Sequence, residues 1–254
     1  MKKYIIACFV LGLSSTLDVT AQSFQKGSIN LDIGAGFGGY ATEQTQTASF
    51  SATIIAFGTM IPFSVDTSFS STDGASSFII PVSFEYGISD KVGLGFDFTH
   101  NNYVIDTEDK VSIKSIKSLD YGLKVYYHII SSDKFDLSLG LGFGISSVKF
   151  NLNGYADETT SLAYPSTIAK GVGNYLDLAF KGKYWLSEYI GIFGAAGYKG
   201  YSYSSIQSDN SSAEKEVENL FSGSGIQIIN LEIIDELEWK LKGVNVSFGL
   251  AVKF

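Results

Sequence analysis

The chain has 254 residues, a formal net charge of −8, and 27 glycines, 19 phenylalanines and 15 tyrosines against 3 prolines and 1 cysteine. All 18 basic residues are lysine, and with the acidic balance this argues against arginine-built phosphate sites and against a nucleic-acid partner. The length allows one large all-β domain or two small ones.

Residues 1–21 have the layout of an export signal. Met1-Lys2-Lys3 is the positive start, Tyr4 to Leu13 the apolar core, and Val19-Thr20-Ala21 the small-residue cleavage region before Gln22. The apolar core is too short for a membrane-spanning helix. Cys8 lies inside that core, where a lipoprotein cysteine would not stand. Removing the signal takes away Lys2, Lys3 and Asp18 and leaves residues 22–254 as a cysteine-free domain of the cell envelope.

From there, apolar residues alternate with small or polar ones in eight runs. The first is Ile29 to Phe37, the second Phe78 to Tyr86, the third Val92 to Phe98 and the fourth Leu119 to Ile129. Leu137 to Ile145, Leu176 to Leu186, Ile190 to Tyr198 and Val244 to Phe254 complete the set. Strict alternation over such lengths predicts β-strands, and roughly ten residues is what a tilted strand needs to cross a bilayer. The connections 89–91, 131–135 and 187–188 are short, while 43–77, 103–117, 151–171 and 204–236 are long. The expected fold is therefore an all-β, antiparallel, eight-stranded transmembrane β-barrel with both chain ends on the short-turn side.

Three segments leave choices open. Gln44 to Val65 has no charged residue and reads as an extension of the first hairpin or as an apolar lip for a ligand or lipid. Ser211-Ser212-Ala213-Glu214 could open a short helix through Leu220. In residues 226–241 the apolar parity is odd (Ile229, Leu231, Ile233, Leu237, Trp239, Leu241), whereas from Val244 it is even. One long final strand with a register shift near Gly243 is expected. A ten-stranded barrel, with extra strands from 48–58 and 226–241, is the alternative.

With the apolar parity facing lipid, the other parity faces the lumen. It carries Asp32, Glu85, Asp97, Asp120 and Asp177 against Lys124, Lys181, Lys183, Lys199 and Lys253, a balanced charge network, with Tyr126, Trp185 and Phe193 as filling. Tyr86, Tyr121, Tyr127, Tyr184 and Tyr198 fit aromatic girdles on the lipid side.

The stretches "YGISDKVGLGFDF" and "GVNVSFGLAVKF", ending at Phe254, resemble the small outer-membrane β-barrel proteins of Bacteroidetes-type bacteria. These fall within the broad OmpA/OmpX-like and porin-like barrel superfamily. The resemblance implies a Gram-negative cell outer membrane as location and outer-membrane lipid as solvent. It also implies recognition of the C-terminal strand by the barrel-assembly machinery, with Phe254 as the assembly signal. Neither a plug nor a peptidoglycan-binding domain is expected.

A structural or surface-interaction barrel is the leading functional reading, because eight strands enclose only enough room for side chains. The alternative is a narrow porin-like channel for small or hydrophobic solutes, with room left by Gly93, Gly95, Gly140, Gly142 and Gly144. A lipid-modifying enzyme would need His100 or His128 as a base beside a nucleophile, and no serine–histidine spacing accompanies either. No catalytic residue, cofactor or metal is expected. Asp106, Glu108 and Asp109 share a loop but lack an ordered calcium-ligand pattern.

Overall fold

The computed structural model describes residues 23–56, 59–105, 113–152, 155–157, 162–164, 168–207 and 227–254. The export segment 1–21, the acidic loop residues Asp106, Glu108 and Asp109, and the expected helix Ser211–Leu220 lie outside them. The strands are β1 (Ile29–Ala56), β2 (Thr59–Gly87), β3 (Val92–Ile105), β4 (Ile113–Ser131), β5 (Phe135–Leu152), β6 (Tyr155–Asp157), β7 (Leu162–Tyr164), β8 (Ile168–Trp185), β9 (Ile190–Gln207) and β10 (Gln227–Lys253). Eight of them close an antiparallel barrel in the order β1-β10-β9-β8-β5-β4-β3-β2, while β6 and β7 form a separate small hairpin. The barrel is eight-stranded, so the ten-stranded alternative is set aside: residues 48–56 and 227–241 continue β1 and β10 instead of adding strands.

Three serines build the short turns. Ser89, Ser132 and Ser187 each accept a hydrogen bond at Oγ from the backbone N–H three residues on, at Val92 (3.0 Å), Phe135 (3.2 Å) and Ile190 (3.1 Å). A serine that bonds forward in this way turns the chain within a few residues. At the same end Phe254 N–H donates to Ile29 O at 2.8 Å, joining the two ends of the barrel sheet. Gly27, with φ at 85°, takes the left-handed conformation open to glycine and leads the chain into β1.

The strands run well past the roughly ten residues that a membrane crossing needs, with 28 in β1, 29 in β2 and 27 in β10. β1 pairs with β2 from Ile29↔Tyr86 to Ala56↔Thr59 and with β10 from Asn30↔Lys253 to Ile55↔Gln227. Among the described residues β3 meets β2 up to Ala75, and β9 meets β10 up to Glu236. Beyond those points β2, β1 and β10 continue as a three-stranded extension away from the short turns. Of the two readings of Gln44 to Val65, the hairpin extension is the observed one.

β10 departs from expectation at Gly243. No register shift occurs there: Gly243 lies opposite Tyr40 and opposite Lys199 in ladders unbroken around it, and the irregularities sit between Leu237 and Trp239 on the β9 side and opposite Ser51 to Thr53 on the β1 side. The parity change arises because Trp239 and Leu241 point inward, both fully buried, while Val244, Val246, Phe248 and Leu250 point outward. Gly243 is small because a Cβ there would overlap the backbone of Gly39 and Tyr40.

Candidate functional site

Lumen-facing side chains fill the barrel in layers. Nearest the short turns, Glu85 accepts from His128 Nε2 at 2.7 Å and from Lys183 Nζ at 3.1 Å. Lys183 also lies 3.2 Å from Asp32, and Lys181 donates to Asp32 at 2.7 Å, to Ser83 at 3.0 Å and to the Tyr126 hydroxyl at 3.2 Å. His128 Nδ1 meets Asp136 at 2.7 Å. Both ring nitrogens are therefore engaged by acidic side chains. Phe24 then stacks on the imidazole with ring centroids 3.4 Å apart, and Ser131 Oγ donates to the Phe24 carbonyl at 3.1 Å. The segment before β1 thus folds into the mouth.

In the middle layer Lys124 bridges Asp97 (3.1 Å) and Asp177, and the Tyr126 hydroxyl donates to Asp97 at 3.0 Å. Farther from the short turns Asp120 accepts from Lys199 at 2.7 Å, Tyr201 at 2.8 Å and Ser146 at 2.6 Å. Above it the lumen turns apolar. Trp239 packs against Phe150 (5.1 Å between centroids), Tyr103 (5.4 Å) and Tyr203 (5.6 Å), with Ile116, Ile206 and Leu241 buried around them. Between the layers a cavity of about 60 Å³ remains, bordered by Lys181, Phe193, Lys199 and Tyr201.

Nine of the ten expected lumen charges fall into these ion-paired clusters. The tenth, Lys253, places its ammonium 5.1 Å from the Trp185 ring. Asp136 and His128 join these clusters, which then hold six acidic side chains and five basic ones. Asp136 has the lumen parity and stands one residue before the fifth run, so extending the run would have found it. Phe24 lies outside any run, and no periodicity marks it.

Side chains of the lumen lie over its glycines. Tyr126 covers Gly95 and Gly140, where added Cβ atoms would come 2.6 Å and 3.0 Å from its ring carbons. Tyr175 covers Gly122 and Gly144 in the same way. His128 has no free ring nitrogen. His100 has the outward parity, opposite Ile80 and Leu119, while its neighbour Thr99 faces inward. Among the described residues no group of metal-ligating side chains is present.

The outer wall is apolar from Tyr86, Tyr127 and Tyr184 near the short turns up through Phe84, Phe96, Leu123, Leu141, Phe180, Ile192 and Phe248, all exposed. Tyr121 and Tyr198 face outward too, but at mid-strand instead of at a boundary. Ser76, Asn102, Lys117, Lys149, Lys170, Ser202 and Lys242 end the band. Water cannot cover a continuous apolar belt of this extent on a folded monomer, whereas a bilayer can. A closed ring also satisfies every strand edge within hydrocarbon.

No protein-family model and no curated protein matches the chain. Among solved structures it is similar to the outer membrane protein OprG from Pseudomonas aeruginosa at 16% identity, covering 91% of this chain and 97% of that one, with a TM-score of 0.49. It is also similar to the outer membrane protease OmpT from Escherichia coli (11% identity, 94% and 99% covered, TM-score 0.43) and to Neisserial surface protein A (14%, 84% and 97%, TM-score 0.34). The belt and the closed ring, independent of these likenesses, define a transmembrane β-barrel. Its place is the cell outer membrane, where such barrels reside.

Proposed function

We propose that the protein is a closed, non-conducting barrel that works by surface contact through its three-stranded extension, without enzymatic activity. The observation that carries this reading is the filled lumen, with ion-paired layers below and an aromatic layer above a cavity of about 60 Å³. The extension supplies the contact surface: Met60, Ile61, Phe63, Val65 and Phe69 are exposed on it, and beyond the barrel rim the outer edge of β2 has no partner strand among the described residues. Exposed edges and apolar side chains are what an extended partner segment engages. In this reading the family is the Bacteroidetes-type group of small barrels, and Phe254 at the end of β10 is read by the assembly machinery.

The narrow-channel reading has less support, because the side chains that cover the lumen glycines occupy the space a solute would need. Planar-bilayer recordings of the purified barrel decide between them. Silence is expected; stepwise conductance would overturn the closed-barrel reading.

A further inference from the structure

Three lysines stand side by side on the outward face. Lys117 on β4 is opposite Lys149 on β5, and Lys149 is opposite Lys170 on β8. All three are exposed, and none forms an ion pair with a described residue. Like charges directly opposite on neighbouring strands destabilise a sheet. A row of three therefore calls for an anion spanning several charges. The flanking positions in the same row are Asn102 and Gln207, uncharged hydrogen-bonding side chains.

Below the row, across β5, β8 and β9, lies a groove of about 710 Å³ in the outer wall. Its sides are Leu141, Phe143, Leu176, Leu178 and Tyr198 and its floor includes Gly200, with Lys242 at the rim. The register makes this one continuous track: Phe143 is opposite Leu176, and Leu176 opposite Gly200. Six residues separate Lys149 from Phe143 and Lys170 from Leu176. That is about 20 Å along a strand, or about 14 Å of depth at a tilt of about 45°. An acyl chain covers this depth in one leaflet of a hydrocarbon core about 30 Å thick.

We infer that the outward face of β4, β5, β8 and β9 holds one phosphate-bearing acylated lipid, its phosphate groups on Lys117, Lys149 and Lys170 and an acyl chain in the groove over Gly200. The lysines and the groove are separate features, and only an amphiphile with a phosphorylated headgroup uses both. This site is independent of the extension and of whether the lumen conducts.

The full-length barrel, purified in dodecyl maltoside and stripped of lipid, is titrated with phosphatidic acid, diacylglycerol and inorganic phosphate, with binding read by native mass spectrometry. Saturable binding of one phosphatidic acid is expected, with little binding of the other two. Replacing all three lysines by glutamine should weaken it on the order of 100-fold, from about tenfold or less per lysine near an anionic headgroup. The triple arginine variant should stay near wild type. Gly200→Leu should weaken phosphatidic acid about tenfold by filling the groove. It should leave the fold intact, since an added Cβ comes no nearer than 3.9 Å to its surroundings. In lipid-free detergent, Lys149→Gln should raise the unfolding midpoint by relieving repulsion, which also shows that the variant folds. Equal binding of inorganic phosphate would replace the lipid site with a simple anion site. Equal binding of diacylglycerol, or an unchanged affinity in the glutamine variant, would overturn the inference.

Discussion

Asp120 accepts hydrogen bonds from Asn101, Ser118, Ser146, Lys199 and Tyr201. No water-exposed surface relieves it, since the residue is fully buried. Its carboxylate balances Lys199, whose ammonium also lies 4.2 Å from the Tyr175 ring. Removing one member of such a pair leaves the other charge uncompensated, at a cost of about 3–5 kcal/mol. Asp120→Asn should therefore lower the urea midpoint of the barrel in detergent, followed by unboiled gel mobility. The double variant Asp120→Asn with Lys199→Met should recover most of the loss, because it removes the orphaned charge as well. If the double variant is as unstable as the single one, the pair is not the unit of stability. Gly140 offers a second test. Its Cβ position lies 2.9 Å from Lys124 Cε and 3.0 Å from Tyr126 Cε1, so Gly140→Val should overpack the lumen and cost about 1–3 kcal/mol in the same assay.

Strands carry the information that a sequence states most plainly. A barrel wall separates lipid from a packed polar interior, so each residue's chemistry reports its face, and parity alone places Asp32, Glu85, Asp97, Asp120 and the paired lysines inside. β10 is where that rule misleads. Trp239 and Leu241 are apolar yet face the lumen, because the interior changes character along its length from ion pairs to aromatics. Reading every apolar residue as outward requires a bulge at Gly243 to keep Trp239 and Leu241 on the lipid side. A one-residue slip at Gly243 would have turned every following side chain to the other face, whereas the ladders run unbroken from Trp239 onward. Contacts between a strand and a segment outside the pattern, such as Phe24 on His128, have no periodic signal at all. The extension is an element-level feature too, since its pairing in β1 and β2 continues that of the barrel. Replacing Thr47–Ser68 by an Asn-Gly turn keeps the Gln46↔Phe69 pair as a hairpin end. This variant should retain the heat-dependent gel shift and the wild-type unfolding midpoint, while losing the protease cleavage expected at the extension on intact cells. A lost gel shift would mean that the extension is needed to close the barrel.

At the scale of the whole molecule the proposed closed barrel rests on two seals of the lumen. One seal is at the short-turn mouth, where Phe24 caps His128, Glu85 and Lys183. The other is the aromatic layer around Trp239, beyond Asp120. The cavity of about 60 Å³ lies between them, near the row of Tyr126, Lys181 and Phe193. Seals in series act as resistances in series, so opening one leaves the current limited by the other. Phe24→Ala alone should be silent in a planar bilayer, and so should Trp239→Ala with Tyr203→Ala, although each empties its own layer. Each loss of a buried aromatic costs about 3–5 kcal/mol, so the unboiled gel shift must first show that the variants are closed barrels. Even the combined variant should conduct only weakly, because the Lys124, Asp97 and Asp177 layer still stands between the two openings. Adding Tyr126→Ala, which uncovers Gly95 and Gly140, should then produce resolvable steps. Conductance from either single-seal variant would place the barrier in one layer alone and refute the two-seal arrangement.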